Sequence, residues 1–252
     1  MELKKRFQII VTLFVFFGII KSSGQSQGLK GKKLLIYTKN GQGYVHENIK
    51  TSVATLEKIC DKLKVETTVS ANPKIFLSPD IMSYDAVFFA NTNNEAFDNK
   101  KQRDAFQFFC SNGKGFGGLH SAIGSERNWP WYWKLIGGSF LRHPPFQTFS
   151  IRVKRKNHPS TKHLPPIFNL EDECYFIKNS NPNFKILLEA DLSTVSETNK
   201  DVYRPKRAPL SWYNTIEGGR QWYTALGHSK DLYALPWFQK HLQGGIEYIL
   251  QK

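Results

Sequence analysis

Over the first half of the chain, apolar residues follow two alternating rhythms. KKLLIYT (32–38) is apolar without alternation, the pattern of a strand buried on both faces. A glycine turn, KNGQGYVHE, comes next. Residues 47–63 then carry Ile49, Val53, Leu56, Ile59, Cys60 and Leu63 at helical spacing. VETTVS (65–70) reads as a second strand. After a loop holding Pro73 and Pro79, YDAVFFAN (84–91) reads as a third, buried one. Residues 98–111 predict an amphipathic helix with Asp98 as N-cap and Gly113 just past its end. KGFGGLH (114–120) is the fourth strand.

This order predicts an α/β fold with a doubly wound, mostly parallel sheet. Ligands of such sheets bind at the carboxyl ends of the strands. His46 comes after strand one, Asn91 to Asn94 end strand three, and His120 ends strand four.

The second half has a different texture. WPWYWKLIGG (129–138) predicts a short helix. FQTFSIRVKR, CYFIK, FKILLEA, APLSWYNTI and RQWYTALGH read as strands that extend the sheet, partly antiparallel. Residues 231–250 predict a closing helix with Leu235, Phe238, Leu242, Ile246 and Ile249 inward. Neither an internal repeat nor a low-complexity segment is present.

Strand four ends within KGFGGLHSAIG (114–124). Small residues surround a sharp turn there, with the spacing of a nucleophile elbow. The tip of that elbow is His120, where hydrolases and amidotransferases carry Ser or Cys. Histidine suits proton transfer near neutral pH or metal ligation better than lasting covalent catalysis. Ser121 is one position off the tip.

Composition sets the limits. At 252 residues the chain suits one α/β domain, and 40% hydrophobic with 14% aromatic content is enough for a sizeable core. Lys4, Lys5 and Arg6 precede an apolar run from Phe7 to Ile20, and KSSGQ comes after it with small residues at a cleavage position. The expectation is a signal peptide over 1–24, a short linker over 25–31 and one domain over 32–252, in a periplasmic or secreted protein. The run is short for a membrane span, and an uncleaved N-terminal anchor is the alternative. No stable membrane insertion is expected after cleavage.

The net charge is +14, of which residues 1–24 carry +3. The remaining basic residues are spread out, and RVKRKNHPSTKH is a short exposed cluster. A solvated basic face is therefore expected, and no nucleic-acid partner. Cys60, Cys110 and Cys174 allow at most one disulfide and form no CxxC.

Five stretches in order, TKNGQGYVHE, GKGFGGLHSA, WPWYWKLIGGSFLRHPPFQ, HPSTKHLPPIFNLEDECYF and GGRQWYTALGH, resemble the ThuA-like, or trehalose-utilisation, family across most of 32–250. The resemblance implies a flavodoxin-like, class I glutamine amidotransferase-like sheet without the catalytic Cys. It also implies a role in glycoside, disaccharide or 3-keto-sugar metabolism, with a small carbohydrate as partner. One departure stands out. The family often has a His before the Pro of a strand that here reads Ala208-Pro209-Leu210-Ser211-Trp212.

The candidate catalytic residues are His120, His46, His228 and Glu173. Because alternate side chains face opposite ways, one of Asp172 and Glu173 should point into the cleft and the other toward solvent; Glu173 is favoured. His143, Trp129, Trp131 and Asn91 are candidate substrate-binding residues. The aromatics are chosen for stacking on sugar C–H faces, and His143 because two prolines stiffen its loop. His163 and His241 are expected at the surface, and His158 in a turn. Three or four histidines and a carboxylate could hold a divalent metal such as Zn²⁺. Two functions stand side by side, a histidine-based or metal-assisted sugar-active enzyme and a non-catalytic carbohydrate-binding protein. A Cys amidase is disfavoured by the elbow, and a homo-oligomer is left open.

Overall fold

The computed structural model describes residues 27–198 and 202–251. The proposed signal peptide lies outside them.

The parallel half runs β1 (Lys33–Tyr37), α1 (Ile49–Leu63), β2 (Glu66–Ser70), β3 (Ala86–Ala90), α2 (Lys100–Ser111) and β4 (Gly115–Leu119). Then come α3 (Pro130–Ile136), β5 (Ser139–Arg142), β6 (Gln147–Val153), β7 (Ile167–Asp172), β8 (Phe176–Lys178), β9 (Lys185–Ala190), β10 (Pro209–Ile216), β11 (Gly219–Thr224) and α4 (Pro236–Leu250). Nine strands form one sheet in the order β2-β1-β3-β4-β11-β10-β9-β6-β7. The first five are parallel to their neighbours. The remaining four pair antiparallel. β11 thus supplies the fifth parallel strand of a flavodoxin-type order, and the hairpin partner β10 starts the antiparallel extension. β5 and β8 form a separate pair.

The unbroken apolar runs of β3 and β4 are buried along their whole length, as strands covered on both faces must be. Phe88 and Phe89 point to opposite faces of β3. Phe89 packs on Phe106 of α2 and Tyr132 of α3. Phe88 packs on Trp222 of β11, which lies against Gly245 of α4. The sheet is therefore a filling between two helical layers, with α1 packed beside α4. No helix among the described residues is long and apolar enough to cross a membrane.

Local chemistry moves several boundaries. α2 is capped by Asn99, which accepts from the Gln102 amide at 3.2 Å. The expected cap, Asp98, instead pairs with Lys39 at 3.0 Å. Pro73 and Pro79 each open a 3₁₀ turn, because a fixed φ and a missing N–H suit a first helical position. A 3₁₀ turn over Lys230–Ala234 precedes α4, so Leu235 caps that helix and is 40% exposed rather than inward. Within the proposed 25–31 linker, Gln27–Leu29 is a 3₁₀ turn and Leu29 is buried. His241 is fully buried, contrary to a surface position; its Nδ1 bonds Ser160 O at 2.8 Å and its Nε2 lies 3.1 Å from Thr224 Oγ1. Cys60, Cys110 and Cys174 are all free and buried.

Candidate functional site

Four loops at the carboxyl ends of the parallel strands meet over the sheet, and the antiparallel extension brings a fifth to them. The loop after β1 carries His46. Asn48, two residues on, donates to the carbonyls of Gly227 and His228, the latter at 3.0 Å. This ties the β1 loop to the loop leaving β11. Asn93, after β3, donates to Tyr44 O at 3.1 Å and holds the same loop from its other side.

His120 stands where β4 ends. Its φ of +50° lies in the left-handed region, which costs a residue with a Cβ of order 1–3 kcal/mol unless its surroundings enforce it. Two bonds enforce it here. Tyr223 donates its hydroxyl to the His120 carbonyl at 2.7 Å, and the His120 ring bonds Ala225 O through Nδ1 at 2.7 Å. A carbonyl accepts only, so Nδ1 carries the proton and Nε2 of the neutral ring presents its lone pair. That lone pair faces Tyr175 Oη at 2.9 Å and His46 Nε2 at 3.1 Å. A 3₁₀ turn spans His120–Gly124, so the elbow geometry is present without a long helix behind it. Burial, with the neighbouring His46 adding to it, pulls the His120 pKa down to about 3. Burial likewise lowers that of His46, to about 4. Both rings are neutral at pH 7.

Asp172 and Glu173 divide their roles as alternation requires. Asp172 is fully buried at the end of β7, not turned toward solvent. Its Oδ2 accepts from Gly227 N at 2.8 Å, and its Oδ1 from Glu173 N at 2.8 Å and His228 N at 3.2 Å. It thereby fastens Glu173 to the β11 loop. Burial raises its pKa to about 6, the three N–H donors opposing. Glu173 turns the other way, into the histidines. Its Oε2 lies 3.2 Å from His228 Nδ1 and 3.5 Å from His120 Nε2, and its Oε1 lies 3.4 Å from His143 Nε2. Burial pushes this carboxyl up, but His228 and the nearby His120 and His143 outweigh it and hold it below the usual range. His228, against that carboxylate, is raised.

Above the group opens a cavity of about 440 Å³, in the size range of small-molecule sites. His46, His143, Glu173 and His228 line it, with Tyr44, Asn93, Ser121, Arg127, Phe140 and Tyr175. His120 is fully buried beneath it and does not line it. The expectation that His120 contacts a substrate in the cavity is therefore corrected: it lies below the lining, with Nε2 toward Tyr175 and His46.

Three further expectations need correction. Pro130 opens α3, and the rings of Trp129 and Trp131 fold back on each other and over Phe106. Trp129 lines a different cavity, beside Glu126 and Arg103, and neither indole lines the histidine cavity. Asn91 is fully buried and donates to Ser52 Oγ at 2.9 Å, so it serves the packing below the site. Sequence reasoning did not single out Tyr175, Tyr44 or Arg127 and passed over Asp172. Tyr175 sits two residues after Glu173, the same-face spacing, which was a usable signal. Ser121 lines the cavity, and its Oγ has no hydrogen-bond partner among the described residues. It lacks the adjacent base that a nucleophile needs and is free to meet a ligand.

The donor atoms of His46, His120, Glu173 and His228 all lie within 4.8 Å of one another, so among the described residues this group could hold a metal ion. Ala208, where the family pattern often has His, is buried just before β10 and does not line the cavity. Its identity leaves the cluster complete.

No curated protein matches the chain. Its fold is similar to that of a ThuA-like protein from Bacteroides uniformis, at 23% identity and TM-score 0.73, covering 86% of this chain and 91% of that one. A ThuA-like protein from Parabacteroides merdae is similar at 19% identity and TM-score 0.70, covering 88% and 91%. A putative GMP synthase protein from Thermoplasma acidophilum, at 12% identity and TM-score 0.51 over 87% and 94%, carries the amidotransferase-type likeness. The family model described as trehalose utilisation, ThuA, matches residues 33–249, and the chain belongs to the ThuA family.

Proposed function

We propose that this is an exported enzyme acting on a glycoside or 3-keto-sugar, and that it removes a proton from the carbon beside the sugar's carbonyl. The observation that carries the reading is Glu173: a cavity-lining carboxylate held ionised among His120, His143 and His228. A ketone at C3 acidifies the C2–H bond. Glu173 Oε1, on the His143 side, takes that proton, and the C–H electron pair moves into an enediolate. Two outcomes balance. The proton returns to carbon, giving epimerisation or isomerisation. Alternatively the pair forms a C1–C2 double bond while the C1–O bond breaks, and the leaving oxygen collects a proton from His143 or His228. His120 acts from beneath by fixing His46 and Tyr175. Family membership supports the sugar, and the apolar run behind Lys4, Lys5 and Arg6 supports export.

General acid–base help of this kind is worth roughly 10²–10⁴-fold. Glu173→Gln keeps the shape and removes the base. With 3-keto-glucosides in D₂O, the wild type incorporates deuterium at C2, read by NMR, and Glu173→Gln slows this by that factor. Equal exchange rates in the two proteins would defeat the assignment.

A second reading, a non-catalytic carbohydrate-binding protein, is favoured by one feature. Tyr44 lines the cavity, Phe146 lies beside it with its ring 5.5 Å from that of His228, and they are 61% and 43% exposed, as stacking platforms would be. That reading expects sugar binding without exchange, weakened in Tyr44→Ala and unchanged in Glu173→Gln.

A further inference from the structure

Hydrogen bonding explains only part of the cluster: His120 Nε2 meets His46 Nε2 and the Tyr175 hydroxyl, which would turn aside for an ion, but the carboxylate contacts are left over. His228 Nδ1 lies 3.2 Å from Glu173 Oε2, yet makes no hydrogen bond there. His120 Nε2 and Glu173 Oε2 are 3.5 Å apart, too long for one. His46 and His120 face each other through Nε2 at 3.1 Å, which leaves the buried Nδ1 of His46 with no partner. The carboxylate gains little from facing His120 and His228 without a hydrogen bond. These groups gain much if their lone pairs share one point. Zinc–nitrogen and zinc–oxygen bonds of about 2.0–2.2 Å set the edge of a tetrahedron at about 3.3 Å. The three edges above, at 3.1, 3.2 and 3.5 Å, bracket that length.

We infer that His46 Nε2, His120 Nε2, His228 Nδ1 and Glu173 Oε2 form a binding site for a divalent first-row transition ion of the zinc class. Three nitrogens and one oxygen suit such an ion, whereas Ca²⁺ and Mg²⁺ ask for oxygen shells. The outer partners are those a metal site needs. Ala225 O fixes the His120 tautomer, and Asp172 holds the backbones of Glu173 and His228. Asp172 is not itself a ligand, because both its oxygens are taken by N–H groups. His143 stands on the other carboxylate oxygen, Oε1, 3.4 Å away. The ion would lie at the cavity floor, where it polarises a bound carbonyl, and Oε1 stays open to take a proton. The inference rests on the proposed reaction only for what the ion does, and not for whether it binds.

The test is Co²⁺ binding to the mature chain after chelator treatment. One equivalent should give the strong visible absorption of a four-coordinate N/O site, and Zn²⁺ should bleach it and raise the melting temperature. His228→Ala and Glu173→Gln, both at the cavity edge and checked for folding by circular dichroism, should weaken Co²⁺ by more than the roughly 10–100-fold typical of an outer partner. His163→Gln, a histidine remote from the cluster, should leave it unchanged. Wild-type protein without these bands, or bands indifferent to both cluster variants, would overturn the site. C2 exchange that persists in chelated protein would sink the ion's part in the reaction and spare the proposed proton transfer. Stoichiometric metal with no exchange would sink the proposed reaction and spare the site.

Discussion

Asp172 shows how much of this site depends on one side chain that no ligand touches. It is fully buried, and its carboxylate receives three backbone N–H groups from two loops far apart in sequence. Asp172→Asn keeps the volume but turns one acceptor into a donor. If the amide oxygen takes the Oδ1 place, its NH₂ faces the Gly227 N–H, and the two donors oppose each other. Leaving a buried group unpaired in this way costs about 1–3 kcal/mol. Urea unfolding at pH 7 should show that loss. Because the same bonds set the positions of Glu173 and His228, exchange at the sugar carbon should fall as well. A variant with reduced stability but wild-type exchange would show that the loops hold their places without this anchor.

At the scale of the element, the parallel half was legible because burial on both faces leaves a plain signature. KLLIY and AVFFA have no polar alternation, and the intervening apolar spacing turns helical. What stayed hidden was decided by distant partners. β7, with the sequence IFNLED, is a half-exposed edge strand whose only ladder partner among the described residues is β6. β5 is four residues long and exists because β8 pairs with it. The histidines could be named from strand ends, but the contact of Glu173 with His120, His143 and His228 depends on a nine-strand order that no local pattern encodes. The glycines carry a similar long-range message. Gly245 lies in the interior of α4, where Ala is intrinsically better by about 1 kcal/mol. A Cβ there would stand 2.5 Å from the Trp222 ring. Trp222 has no room to yield, being fully buried between Phe88 and His241 with its Nε1 on Ser160 Oγ at 3.2 Å. Overpacking of this sort costs about 1–3 kcal/mol. Gly245→Ala should therefore lower stability despite the better helix propensity, and a raised melting temperature would refute the close approach of α4 to β11.

At the scale of the whole molecule, the pH response comes from where the histidines sit. His158 and His241 lie outside the cavity, and burial pulls their pKa values down to about 4 and about 3. The unfolded chain titrates both near 6.5. A histidine depressed in the fold contributes its full stability above 6.5 and loses it as pH falls toward the folded value. His46 and His120 add to the same trend. Asp172 works against it: raised from 3.8 to about 6, it holds a proton in the fold that the unfolded chain has given up, and so stabilises on acidification within that window. More neutral histidines than raised carboxylates leaves a net loss between pH 6.5 and 4. The part due to His241 can be isolated. For a group shifted this far, linkage gives about 2 kcal/mol of lost stability between pH 7 and pH 5. His241→Gln also sacrifices packing and hydrogen bonds, but those losses are common to both pH values and cancel in the difference. Urea unfolding of the two proteins at pH 7 and pH 5 should show the variant losing about 2 kcal/mol less on acidification than the wild type does. Equal drops would mean that the His241 ring is not held neutral between Ser160 and Thr224, and that acid sensitivity resides in the cavity cluster instead.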